Sequence, residues 1–128
     1  MSKKHYRGSC ACKRVTFEAD IDFSQGTHKC NCTSCWKRRW WTVKVEPADF
    51  KVLTGEDGLD PSGRFCATCG VATFRHVPVF EWNPKPYVSL SVASLDDLPP
   101  PELLEAEVTY YDGLADNWWS RPAEVRHL

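Results

Sequence analysis

The chain has 128 residues, 16 of them basic and 17 acidic, which gives a formal net charge of −1 at pH 7. This length predicts a single domain covering residues 1–128. The near-neutral charge argues against a general attraction to nucleic acid or acidic membranes. No apolar run reaches the length of a signal peptide or a membrane span, so we expect a cytoplasmic protein.

Alternating apolar residues predict short strands. The alternation is clearest at residues 15–21, 41–45, 88–92 and 106–110, where β-branched and aromatic side chains are frequent. No stretch has the periodicity of a long helix. We therefore predict a mainly β fold of small antiparallel sheets.

Helical signals are short and confined to turns. Residues 47–50 open with a proline and predict one turn, and residues 94–98 predict a capped turn that the prolines at 99–101 terminate. The segment 55–63, GEDGLDPSG, has the composition of a loop, and we assign its carboxylates to turns. The fold should therefore contain only a few short helical turns.

The seven cysteines fall into three closely spaced groups. Reduced thiols are expected inside the cell, and an odd count argues against a complete set of disulfides, although a disulfide scaffold is the alternative. Thiolates at such spacings are typical zinc ligands. The three groups are Cys10 with Cys12, then Cys30 with Cys32 and Cys35, then Cys66 with Cys69.

Spacing alone allows two ways of sharing these thiols. In one, the pair 32/35 joins the pair 66/69 in a zinc ribbon, which leaves three cysteines without a metal. In the other, the pair 10/12 joins 66/69, and the triplet 30/32/35 holds a second metal with one open position. Four protein ligands are typical of a structural zinc, and three with an exchangeable position are typical of a reactive one. The second arrangement uses every cysteine, and we favour it.

The motifs together resemble the glutathione-dependent formaldehyde-activating enzyme family, to which centromere protein V is also similar. The resemblance rests on GSCAC at 8–12, CNCTSCWK at 30–37, LTGED at 53–57 and FCATCG at 65–70. The closing YYDG, DNWW and RP motifs between 110 and 122 are similar to the tails of bacterial members. The resemblance therefore covers nearly the whole chain.

This resemblance implies a fold, two zinc ions and a reaction. The fold is a β-tent, in which zinc connects two small antiparallel sheets. The implied structural zinc is held by Cys10, Cys12, Cys66 and Cys69, and the implied functional zinc by Cys30, Cys32 and Cys35. The implied activity is that of a carbon–sulfur lyase, in which a small thiol such as glutathione adds to formaldehyde to give S-(hydroxymethyl)glutathione. The segment 58–64 is shorter than in most members, which usually carry an extra strand there.

Three cations follow the triplet directly. Lys37, Arg38 and Arg39 are candidates for binding the carboxylates of the thiol, and the alternative is that they are solvated charges on a turn. Among the neighbouring tryptophans, Trp36 and Trp40 are candidate pocket walls. Trp41 instead continues a strand pattern and is predicted to be core.

His28 precedes the triplet by two residues. It is a candidate fourth ligand or proton donor, although a lone histidine is more often structural or exposed. Trp118 and Trp119 are predicted to pack against a sheet, and the alternative is that they cap a pocket.

Two other functions compete with the enzyme. A zinc-stabilised binding module would follow if a fourth side chain closed the triplet site. A single-stranded nucleic-acid platform would use the cations and tryptophans of residues 36–41. The balanced charge argues against nucleic acid as a partner.

Overall fold

The computed structural model describes residues 3–128, which form eight strands and two short α-helices. The strands are β1 (Lys4–Ser9), β2 (Thr16–Ile21), β3 (Thr27–Cys30), β4 (Trp41–Val45), β5 (Phe50–Thr54), β6 (Phe74–Val77), β7 (Tyr87–Ser91) and β8 (Val108–Tyr111). The helices are α1 (Thr33–Arg38) and α2 (Pro100–Glu105). The predicted mainly β fold with few short helices is confirmed.

The strands form two sheets. The smaller sheet has the order β1-β2-β5 and the larger has the order β6-β7-β4-β3-β8. All neighbours are antiparallel except β3 and β8, which pair in parallel with Cys30 opposite Tyr111. The larger sheet is therefore mixed, with one parallel pair in an otherwise antiparallel arrangement. This parallel pair places the C-terminal part of the chain beside the cysteine triplet.

An aromatic cluster joins the two sheets. Phe17 on β2 and Phe74 on β6 are fully buried, and their ring centroids lie 5.7 Å apart in an edge-to-face arrangement. Phe50 on β5 lies 4.8 Å from Phe74 by the same measure. Such pairs stabilise a core beyond the area they bury. The cluster holds the facing surfaces of the sheets together and leaves the other face of the larger sheet free for a site.

The helical segments differ from the sequence prediction near the prolines at 99–101. The prolines at 99–101 were expected to end a turn, but α2 begins at Pro100. The first turn of a helix has backbone N–H groups without partners, so a proline there loses no hydrogen bond. The turn predicted at 94–98 is displaced to a 3₁₀ turn at Val92–Ser94. Within residues 3–128, no helix is long and apolar enough to cross a membrane.

Candidate metal centre

Four thiols meet at the junction of the two sheets. Cys10 and Cys12 follow β1, and Cys66 and Cys69 precede β6, yet their four sulfur atoms lie within 4.8 Å of one another. The Cys10 and Cys12 sulfurs are 3.6 Å apart, and those of Cys12 and Cys66 are 3.7 Å apart. A tetrahedral zinc with bonds of about 2.3 Å requires sulfur–sulfur edges of about 3.8 Å. The donor set therefore fits zinc.

Tight turns present these thiols. Gly70 has a φ of 77°, and its N–H donates to the Cys66 carbonyl at 2.7 Å, which closes the predicted C-x-x-C-G knuckle. On the other side, Lys13 takes a left-handed conformation and its N–H donates to the Cys10 carbonyl. Backbone N–H groups point at the sulfurs. Those of Cys12 and Val71 lower the pKa of the Cys69 thiol to about 6, which favours a thiolate ligand.

The second group comprises Cys30, Cys32 and Cys35, whose sulfurs also lie within 4.8 Å of one another. Cys30 ends β3, Cys32 is the N-cap of α1, and Cys35 lies in its first turns. The Cys32 sulfur accepts from the Cys35 N–H at 3.4 Å, so the capping interaction itself orients a ligand. Burial raises the pKa of the Cys35 thiol to about 12. A bound cation would reverse this preference, because a coordinating thiol is deprotonated.

Among residues 3–128, no histidine, aspartate, glutamate or fourth cysteine joins this triplet. Three thiolates fit a zinc that keeps one position for an exchangeable ligand. The structure thus brings 66/69 beside 10/12 and keeps 32/35 with Cys30, which is the arrangement favoured above and not the zinc ribbon. No histidine, carboxylate or cysteine side chain in the described part of the chain is placed to close the fourth position.

The C-terminal part of the chain supports the triplet. Asn31 is 6% exposed, donates to Asp112 at 2.8 Å and accepts from the Leu114 N–H at 2.9 Å. Gly113 lies against the Cys30 sulfur so closely that an added Cβ would be 2.9 Å from it. The YYDG motif therefore acts as a second layer around the thiols, a role that its position in the sequence does not reveal.

A cavity of about 640 Å³ opens beside the triplet. This size is within the usual range for small-molecule sites. Cys30 and Cys35 form part of its wall, and the outer face of the larger sheet forms its floor. The other lining residues are His28, Lys29, Trp40, Thr42, Lys44, Arg75, Val77, Trp82, Asn83, Tyr87, Ser89, Tyr111, Trp118 and Trp119.

His28 faces this cavity and is held by a neighbour. Its Nδ1 lies 2.8 Å from the Tyr111 hydroxyl, and the two rings stack with centroids 5.7 Å apart. Burial and then the charge of Lys44 lower the pKa of His28, so the neutral ring is favoured. His28 is not within the ligand group of the triplet. Its position leaves it available as a hydrogen-bonding group of the cavity.

The three cations after the triplet are separated from this cavity. Arg39 donates to the His127 carbonyl at 2.5 Å and lines a second cavity of about 200 Å³ with Trp36 and Leu128. Lys37 and Arg38 are exposed on α1 and line neither cavity. Their role in substrate binding stays a prediction.

The tryptophans near the triplet lie where the sequence predicted, and the pair near the C-terminus does not. Trp41 packs against the core as predicted, and its Nε1 donates to Thr27 at 2.8 Å. Trp40 lines both cavities. Trp119 is 85% exposed and, like Trp118, lines the larger cavity, so the prediction that this pair packs against a sheet is wrong. The parallel β3–β8 pairing brings the segment that follows β8 to the rim of the cavity, where both rings remain exposed.

Sequence reasoning missed Lys44, Arg75 and Tyr87, which form part of the cavity floor. They lie on three different strands, of which β4 is distant in sequence from β6 and β7, and Arg75 and Lys44 both pair with Ser89 in the register. The four residues of β6 carry too little periodic signal, and only the alternation within β4 and β7 was visible in the sequence. That alternation assigns a residue to one of two faces without saying which face carries a site.

Two comparisons relate this chain to known proteins. A crystal structure of a Rhodobacter sphaeroides protein, solved in structural genomics, superposes with a TM-score of 0.60 at 26% identity, over 80% of this chain and 99% of that one. No curated protein sequence matches this chain. The profile of the family described as glutathione-dependent formaldehyde-activating enzyme matches residues 5–112. With both cysteine groups assembled inside that range, the chain belongs to the glutathione-dependent formaldehyde-activating enzyme family.

Proposed function

We propose that the protein is a zinc-dependent carbon–sulfur lyase that joins a small thiol to a small aldehyde and cleaves the product. The observation that carries this proposal is the three-thiol group beside a large cavity, with no fourth ligand among residues 3–128. The name of the family supports glutathione and formaldehyde as the first substrates to test. The binding-module alternative requires a closed site, and the lack of a nearby histidine, carboxylate or fourth cysteine among residues 3–128 supports the enzyme instead.

The two cysteine groups have different proposed tasks. Cys10, Cys12, Cys66 and Cys69 hold a structural zinc, and Cys30, Cys32 and Cys35 hold a second one. Zinc at the triplet would supply a positive centre that keeps an added thiol ionised at neutral pH. None of the seven cysteines forms a disulfide, which supports placing the protein in the reducing cytoplasm.

In the forward direction one carbon–sulfur bond forms, and overall one proton moves from the thiol to the aldehyde oxygen. The reverse direction undoes both changes. The sulfur of the ionised thiol attacks the aldehyde carbon, a carbon–sulfur bond forms, and the carbonyl π pair moves to oxygen. That oxygen takes a proton and becomes the hydroxyl of the adduct. In reverse, the hydroxyl loses its proton, the carbon–oxygen double bond forms again and the carbon–sulfur bond breaks. The thiol proton is released on addition and taken up on cleavage, so the net reaction balances.

The cavity provides groups for this proton and for orientation. Tyr111 and His28 form a hydrogen-bonded pair on the same wall as Cys30 and Cys35, and we assign them to hold the aldehyde oxygen. The phenol can donate a hydrogen bond without changing its charge. Lys37, Arg38 and Arg39 are retained as proposed contacts for an outlying carboxylate of the thiol. Proximity of the two reactants would account for much of the acceleration.

NMR exchange spectroscopy tests the proposed reaction. Purified protein is added to glutathione, formaldehyde and their S-hydroxymethyl adduct at equilibrium, and the rate of exchange between free thiol and adduct is measured. We expect acceleration over buffer, and we expect Cys32→Ser to abolish it while the protein stays folded. The absence of acceleration with glutathione and with other common cellular thiols would reject the lyase.

A further inference from the structure

The floor of the large cavity is one continuous face of the larger sheet. Across its strands, Arg75 on β6 and Lys44 on β4 both neighbour Ser89 on β7. Neighbouring strands are about 4.8 Å apart, so the two cations arise roughly 10 Å from each other with a hydroxyl between them. On β3 at the opposite side lie His28 and Cys30. The cavity thus has a metal-binding end and a cationic end.

The cationic end has no acidic partner. Ion pairs within residues 3–128 involve other side chains and include neither Lys44 nor Arg75, and no aspartate or glutamate lines the cavity. The Lys44 Nζ lies 5.0 Å from the centre of the Tyr87 ring. A third cation lies nearby, because the positive charge of Arg75 lowers the pKa of Arg64. Uncompensated positive charge in a concave site attracts an anion, and an arginine fork suits a carboxylate.

The rim of the cavity is aromatic and accessible. Trp82 and Trp119 are 63% and 85% exposed, and both line the cavity from different segments of the chain. Phe80 stacks on Trp82 with centroids 5.2 Å apart, which extends the aromatic surface of the rim. Large exposed aromatic rings around a concave site mark a surface for a flat apolar ligand.

We propose that this cavity selects a substrate that carries both an aromatic ring and a carboxylate. The carboxylate binds Lys44 and Arg75, and the ring packs against the indoles of Trp82 and Trp119. The assignment rests on the proposed function only in treating the occupant as the reacting substrate, since the binding itself requires no turnover.

Isothermal titration calorimetry on the metal-loaded full chain tests this subsite with defined probes. The probes are 2-naphthoate, its neutral analogue 2-naphthylmethanol, and cyclohexanecarboxylate, which has the charge without the flat ring. We expect 2-naphthoate to bind more tightly than either analogue. Added salt should weaken the binding of 2-naphthoate and leave the binding of the neutral 2-naphthylmethanol unchanged. Equal affinity for the acid and the alcohol would overturn the proposal.

Matched variants identify the groups. Arg75→Gln and Lys44→Gln should each weaken 2-naphthoate about tenfold, the usual effect of losing one hydrogen bond to a charged group. Arg7→Gln and Lys51→Gln remove exposed cations from the smaller sheet and should leave the affinity unchanged. Circular dichroism confirms that each variant is folded. An unchanged affinity in both folded cavity variants would refute the subsite.

The indole contribution needs a separate variant. Trp119→Ala removes an exposed ring, so it should not affect folding, and it should weaken 2-naphthoate more than cyclohexanecarboxylate. A uniform loss of affinity for both probes would contradict stacking.

Thiol–adduct exchange with no naphthoate binding would reject this subsite and keep the lyase. Naphthoate binding with no exchange would reject the lyase and keep the subsite.

Discussion

Asn31 donates a hydrogen bond from its side-chain amide to Asp112 at 2.8 Å, which connects the cysteine triplet to the segment that follows β8. The amide oxygen accepts from the Leu114 N–H at 2.9 Å. Because Asn31 stands between Cys30 and Cys32, these two bonds restrain the backbone that carries both thiols. The buried amide thus joins the two parts of the chain that form the open site.

Asn31→Ala should lower the free energy of unfolding by about 1–3 kcal/mol, because it leaves a half-buried carboxylate and a backbone N–H without their partner. Urea denaturation measures this change. Gln25→Ala, an exposed amide in the turn before β3, is the control and should change stability by less than about 0.5 kcal/mol. Equal effects of the two substitutions would contradict the assigned role of Asn31.

Gly113→Ala should disturb the triplet specifically. The Cβ of the new alanine would lie 2.5 Å from the Trp118 ring and 2.9 Å from the Cys30 sulfur, so either the ring or the thiol must move. We expect weaker metal binding at the triplet, normal binding at the four-thiol site and a shifted tryptophan emission, measured by metal titration and fluorescence. Gly63→Ala strains a left-handed backbone in open space and should affect stability without affecting the triplet. Unaltered metal affinity in Gly113→Ala would argue against this close packing.

Cys32→Ser should fold and lose one zinc per chain while keeping the other. Serine is itself a strong N-cap, so helix α1 retains its first turn although a ligand is lost. Cys66→Ser should instead lose the structural zinc and unfold at lower temperature, because Cys66 is buried where the two sheets meet. Elemental analysis and thermal denaturation distinguish the two outcomes. Loss of all zinc in Cys32→Ser would indicate that the clusters are not independent.

His5 should make stability depend on pH in a defined direction. Its ring lies 2.9 Å from Asp20 and 3.1 Å from Glu18, and the Asp20 hydrogen bond, followed by the Glu18 charge, raises its pKa. A raised pKa in the folded state contributes stability that is complete below the unfolded value near 6.5 and is lost as pH rises through the folded value.

The His5→Gln variant isolates this effect. The stability difference between the natural protein and the variant should be larger at about pH 5.5 than at about pH 8.5, and urea denaturation at both values measures it. Using the difference cancels the protonation of the cysteines, which both proteins share. A difference that grows with pH would show that the imidazolium is not stabilised between the two carboxylates.

The sequence by itself determined the fold class and the ligand types. Strands β2, β4 and β7 follow the period-two pattern, because a strand with one buried face has apolar side chains at every second position. The knuckle at 66–69 and the N-cap at Cys32 are local turns, so short spacing is enough to define them. Strands β1, β3, β5 and β6 and helix α1 were missed, since four to six residues carry little periodic signal.

Only the tertiary structure decided which thiols share a site and what lines the cavity. The joining of the pairs 10/12 and 66/69 depends on how two sheets pack, which is a long-range contact that spacing does not encode. The pairing of Arg75 and Lys44 with Ser89 likewise depends on strand order and register. Register follows from the burial of the whole apolar face, to which every strand contributes at once. For that reason the cysteine groups were readable from the chain, whereas the side chains that line the pocket became visible only when the strands were paired.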